Sequence, residues 1–118
     1  MEIRDRQTLG QAHCRPCEGG VEPWDEASAQ RQLERLPGWK LTHGGQRIRK
    51  DLQFANFRRA MSFLQACGEI AEAEAHHPDL HLTGYRNVRI EVFTHAIGGL
   101  SENDFILAAK IDALPIGD

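Results

Sequence analysis

The chain has 118 residues, 41% hydrophobic and 26% charged, a composition that fits one globular domain of modest core and excludes disorder or fibre. A formal net charge of −3, from 14 basic and 17 acidic residues, gives no sign of a nucleic-acid or anionic-membrane partner. No apolar run approaches the ~20 residues of a spanning helix, and the polar start MEIRDRQTLG lacks a signal core, so a cytoplasmic protein is expected.

Residues 1–22 have no periodicity and are expected to form an N-terminal loop or arm, with 23–118 as a single domain. Cys14 and Cys17 make a C-x-x-C pair in HCRPCEGG. A structural zinc site needs four ligands, and beyond His13 no further group follows at metal spacing. A thioredoxin-type pair needs a βαβ context that the pattern lacks. With Gly19-Gly20 next, the pair reads as a non-catalytic loop. Cys67 falls within a helical pattern, and three cysteines do not suggest a disulfide framework.

Asp25 reads as an N-cap, and Ala29, Leu33 and Leu36 follow at helical spacing, which predicts a helix over 25–36 ended by Pro37-Gly38. Trp39 and Leu41 open a strand that turns at Gly44-Gly45. The return strand RIRKDLQF puts Ile48, Leu52 and Phe54 on one face, interrupted by Lys50, as at an edge or a bulge. Asn56 caps a long helix over about 56–76. One apolar row runs Phe57, Met61, Leu64, Gly68, Ala71 and Ala75; Ala60, Phe63, Cys67 and Ile70 widen it. Pro78 forbids continuation. HLT is a short strand, Gly84 a turn, and NVRIEVFT alternates with Val88, Ile90 and Val92 on one face and Arg89, Glu91 and Phe93 on the other. Ser101 and Asp104 form a capping box for a last helix, DFILAAKIDAL, closed by Pro115. The order α-β-β-α-β-β-α favours an α+β fold, an antiparallel sheet with helices on one face.

EAEAHHPDLHLTG is unusual within this frame. Two adjacent histidines, His76 and His77, sit at a helix end that gains little from packing. His95 ends the long strand. Glu72 lies one turn before His76, placed to fix its tautomer. Simpler explanations compete: a cationic histidine at a helix C-terminus favours the macrodipole, a Glu–His pair at i, i+4 is an ordinary surface contact, and Asp104 is accounted for as a cap. Chelation suits histidines at i, i+4, whereas adjacent residues diverge by roughly 100° around a helix and Pro78 keeps His77 and His81 off one helical face. Imidazoles without metal suit general acid–base chemistry near pH 7.

The stretch EAEAHHPDLHLTGYRNVRIEVFTHAIGGLSEND resembles the pterin-4a-carbinolamine dehydratases, on Glu72, His76, His77, Pro78, Tyr85, His95 and Asp104. LPGW, the Phe-rich start of the long helix, GLSENDFILAAKID and CRPCEGG extend the likeness over residues 14–114. The resemblance implies a four-stranded antiparallel sheet with three helices on one face. It implies dehydration of a 4a-hydroxytetrahydropterin to the quinonoid dihydropterin, in recycling of the cofactor of an aromatic amino acid hydroxylase. His76 and His95 would be the acid–base pair, His77 would orient substrate or share the work, and Glu72 would orient His76. Pro78 would aim the histidines outward, and backbone at Phe93, Thr94 and His95 would read the pterin's amide edge. Asp104 belongs to the signature with its capping explanation standing beside it. Neither metal nor organic cofactor is implied. The resemblance also implies a homodimer or homotetramer; charge and composition suggest no nucleic-acid or membrane partner. Relatives acting as non-catalytic assembly or chaperone-like factors, or on a molybdenum-cofactor pterin, mark the alternatives.

Overall fold

The computed structural model describes residues 1–16 and 21–115. Four α-helices, α1 (Arg6–Gln11), α2 (Glu26–Leu33), α3 (Phe57–Glu74) and α4 (Glu102–Asp112), accompany four strands, β1 (Lys40–Thr42), β2 (Arg47–Gln53), β3 (Asp79–Thr83) and β4 (Asn87–Val92). The strands form one antiparallel sheet in the order β1-β2-β4-β3. The α+β expectation holds, with one additional helix at the front.

That helix corrects the reading of residues 1–22 as loop. Asp5 caps it by accepting from the Thr8 amide at 2.7 Å, and Leu9 is buried in the core. Its period was hidden because only Leu9 faces inward over its six residues. The segment before it is tied down by the buried Gln32 side chain, which both accepts from the Arg4 amide (3.0 Å) and donates to the Arg4 carbonyl (2.8 Å). Such a carboxamide clamp satisfies backbone groups much as a neighbouring strand would.

The three local caps fall where the sequence puts them. Asp25 accepts from Ser28 and Asn56 accepts from Arg59, while Ser101 and Asp104 form a capping box. Val88, Ile90 and Val92 are buried as their alternation predicts, opposite Leu52, Lys50 and Ile48 of β2. Lys50 marks neither an edge nor a bulge: β2 is an interior strand in unbroken register with β4. Its ammonium reaches Asp112 of α4 at 2.6 Å, and that carboxylate also accepts from the Trp39 indole at 3.1 Å. A lysine can face a core when its charge finds such a partner at the rim.

On α3 the inward row is Ala60, Phe63, Cys67 and Ala71, not the row begun by Phe57 and Met61, which stay exposed. Helix α4 is buried nearly all round, from Phe105 through Ile111, so its sequence shows no polar stripe. Its first turn lies beside the ends of α3 and β4, and there the histidines converge.

Candidate active site

Helix α3 ends before the histidines, and Pro78 is not what stops it. Ala75 adopts the left-handed conformation (φ 53°); the Ala75 amide donates to the Glu72 carbonyl (3.3 Å) and the His76 amide to the Ala71 carbonyl (3.1 Å). This is a Schellman turn built on a residue other than glycine. Both histidines therefore lie beyond the helix, and their side chains part company: His76 is 12% exposed and His77 64%. Pro78 follows, and β3 begins at Asp79.

His76 Nε2 lies 2.6 Å from Asp104 Oδ1, across 28 residues of sequence. Asp104 is fully buried. Its other oxygen, Oδ2, accepts from the Ser101 amide (2.8 Å) and from the Thr94 hydroxyl (2.8 Å). The carboxylate thus caps α4 with one oxygen and holds an imidazole with the other. An acceptor so placed calls for Nε2–H on His76, leaving Nδ1 as the acceptor of the neutral ring. Glu72 instead meets His77, Oε2 to Nε2 at 2.7 Å, with both side chains exposed. This corrects the expected Glu72–His76 pair. Once the helix ends at Glu74, His76 no longer shares a helical face with Glu72.

His95 is exposed in a short 3₁₀ turn after Thr94. Its ring packs on Phe93 with centroids 5.9 Å apart, and the Arg47 guanidinium covers Phe93 at 4.2 Å. The loop closes where the Thr94 amide donates to the Gly99 carbonyl at 2.8 Å. Gly99 is required by close approach, since a Cβ there would sit 2.8 Å from Pro23. Thr94 is itself buried, its amide and hydroxyl engaged with Gly99, Ser101 and Asp104. Thr94 thus supports Asp104 through its hydroxyl and also lines the cleft between Phe93 and His95.

His76, His77, Phe93 and His95 line one cleft of about 590 Å³. Pro78 does not line it. Tyr85 is 54% exposed in the β3–β4 turn, at the opposite end of that hairpin from the histidines. Its backbone (φ 56°) shapes the turn.

Sequence reasoning missed the far wall of the cleft, which Cys14, Arg15 and Pro16 supply. Glu74 accepts from the Cys14 amide at 2.7 Å and lies 3.0 Å from His13 Nδ1. Burial pushes the Glu74 carboxyl up, but the Cys14 amide, His13 and Lys110 outweigh it and hold it below the usual carboxylate range. Asn103 clamps Arg15, accepting from its amide (3.0 Å) and donating to its carbonyl (2.6 Å). No local signal marks Glu74 or Asn103, because each acts on chain 60 or more residues away. Burial, and then the Glu74 carboxylate, push the Cys14 thiol up to about 12. Cys17 lies outside the described residues. Among the described residues no group of three or more His, Cys, Asp or Glu side chains is placed to hold a metal ion, and no helix is long and apolar enough to cross a membrane.

Residues 22–114 match the family Pterin 4 alpha carbinolamine dehydratase. A relative from Dechloromonas aromatica, which carries that dehydratase name provisionally, is 48% identical over 106 residues, spanning 90% of this chain and 92% of its own. The crystal structure of a transcriptional coactivator/pterin dehydratase from Brucella melitensis aligns with a TM-score of 0.72 at 28% identity, over 78% of this chain and 97% of that one. A pterin dehydratase-like protein identified as a RuBisCO assembly factor in the alpha-carboxysome aligns with a TM-score of 0.56 at 23% identity, over 64% of this chain and 87% of that one. This last likeness concerns the fold alone.

Proposed function

Because the chain belongs to the pterin 4 alpha carbinolamine dehydratase family, we propose that it removes water from a 4a-hydroxytetrahydropterin, leaving the quinonoid dihydropterin, by histidine acid–base catalysis. The observation that carries the reading is that His76, held by buried Asp104, and His95 line the same cleft. In the reaction the C4a–O bond breaks, the N5 proton leaves and a C4a=N5 double bond forms. The hydroxyl departs as water once protonated. His76, with Nε2–H committed to Asp104, keeps Nδ1 to accept the N5 proton, and His95 protonates the leaving hydroxyl. His77, braced by Glu72, orients the ring, and the backbone at Phe93, Thr94 and His95 takes its amide edge. Each positioned proton transfer is worth about 10² to 10⁴ in rate.

A non-catalytic assembly role, of the kind named for the carboxysome protein, gives the His76–Asp104 pair a structural task but no reason to share a cleft with His77 and His95. The decisive measurement is the dehydration rate of chemically prepared carbinolamine against its spontaneous background. A rate well above background is expected; a folded protein that does not exceed it overturns the proposal. The link to an aromatic amino acid hydroxylase, which would generate the substrate, belongs to the same reading. So does self-association as a dimer or tetramer, supported by Phe57 and Met61 standing exposed on α3.

A thiol pushed up to about 12 stays protonated at neutral pH and is a poor nucleophile. Turnover of a Cys14→Ser, Cys17→Ser double variant is therefore expected to stay within about tenfold of the parent, or ~1.4 kcal/mol. A larger loss in steady-state assays would give the pair a role in the chemistry.

A further inference from the structure

The strap Cys14–Pro16 lies before α2 and walls the cleft that holds the histidines. We propose that Arg15 is a specificity-determining residue that receives an anionic group, phosphate or carboxylate, on the substrate's side chain. This inference rests on the dehydratase reading and names the class of pterin that the cleft selects.

The strap is a built wall. The Asn103 side chain, in a residue only 7% exposed, takes both the amide and the carbonyl of Arg15. Asn103 adjoins Asp104, so one helical turn anchors Arg15 on one side and His76 on the other. The Cys14 amide is fixed to Glu74, the last residue of α3 before the turn that leads to His76. Arg15 thus stands at the rim of the cleft on a fixed backbone, with its position relative to the histidines set by shared anchors.

The charge balance points to an anion. Among the described residues lining the cleft, Arg15 is the permanent cation and Glu74 the carboxylate. Glu74 is 8% exposed at its side chain and already occupied by Cys14 and His13. Of the nearby acids, Asp104 is fully buried, Glu72 is engaged with His77, and Glu22 and Glu102 line a separate pocket on the other side of Arg15, where Glu102 is paired with Arg4 at 2.7 Å. The remaining ionisable lining groups, His76, His77, His95 and a protonated Cys14, bring no negative charge. Acid–base work on a neutral bicyclic ring needs imidazoles and no guanidinium. A guanidinium fork matches the paired oxygens of a phosphate or carboxylate, and a pterin's variable substituent is where such a group is found.

The test compares carbinolamines with a phosphate-bearing, a carboxylate-bearing and a neutral side chain, on the parent protein, Arg15→Gln and Arg15→Lys. Binding of the matching stable oxidised pterins, followed by fluorescence quenching, gives a second readout. The parent is expected to show a KM and Kd about tenfold lower for at least one anionic pterin than for the neutral one. Arg15→Gln should bring that ratio close to one through KM rather than kcat, and Arg15→Lys should restore part of it. The arm that loses its advantage identifies phosphate or carboxylate. Equal turnover and equal binding of all three pterins by the parent, or a glutamine variant that keeps the ratio, overturns the role of Arg15 and leaves the dehydratase reading standing. A folded parent that neither binds nor turns over any of them overturns both.

Discussion

Replacing both His76 and His95 by alanine is expected to bring carbinolamine dehydration down to the spontaneous rate. Each single replacement should cost a factor on the order of 10² or more, as for the loss of one positioned acid or base. The single losses should not multiply, because leaving-group protonation and N5 deprotonation occur in one process and the residues act as a unit. Stability should separate the two. His95 is exposed and packs only on Phe93 among described aromatic partners, so His95→Ala should leave the denaturation midpoint nearly unchanged. His76 is the partner of a fully buried carboxylate. His76→Ala should cost about 1–3 kcal/mol, the range for stripping one hydrogen bond from a buried charged group. Rates of the folded variants, paired with urea titrations, check both halves. A double variant that still dehydrates the carbinolamine at the parental rate would sink the mechanism.

Asp104 carries the other large effect, and two substitutions dissect it. Asp104→Ala removes the partner of the Ser101 amide and the Thr94 hydroxyl in a buried setting. With the cap and those two donors orphaned, destabilisation of about 3 kcal/mol or more is expected, together with loss of activity. Asp104→Asn keeps the shape. Its amide oxygen can still accept at the Oδ2 position from Ser101 and Thr94, which leaves its NH₂ facing His76 Nε2. That contact is satisfied only if Nε2 becomes the acceptor and the proton moves to Nδ1. The imidazole would then present a donor where the reaction needs a base. Asp104→Asn is therefore expected to fold, to lose at most about 2 kcal/mol, and to fall on the order of 10² in kcat. Thermal melts and steady-state rates measure the two separately. An asparagine variant with full kcat would show that the carboxylate serves the helix cap alone.

The local rules of the chain were legible. Each helix cap at Asp25, Asn56 and Ser101 joins residues three apart, and the alternation of Val88, Ile90 and Val92 is a property of one strand. Such signals need no tertiary structure, and with the hairpin turns they determined the α+β class. The histidines at element ends and the capping Asp104 also stood out locally, and the family likeness joined them in one signature. The sequence could not say which carboxylate serves which imidazole. Spacing offered Glu72 for His76, on the premise of a helix running to residue 76; a left-handed Ala75 ends it sooner and turns His76 toward Asp104. Nor did a residue-by-residue pattern reveal that Lys50 faces the core, because its partner, Asp112, lies 62 residues on. The same holds for the strap, where Glu74 and Asn103 bind chain 60 and 88 residues before them. Those pairings exist only once α3 and α4 have packed beside the sheet. Backbone propensity acts over a few neighbours, whereas burial obliges a polar group to find whatever partner the packed elements bring within reach. The sequence by itself determined the elements and the chemical groups; tertiary packing decided how those groups are paired.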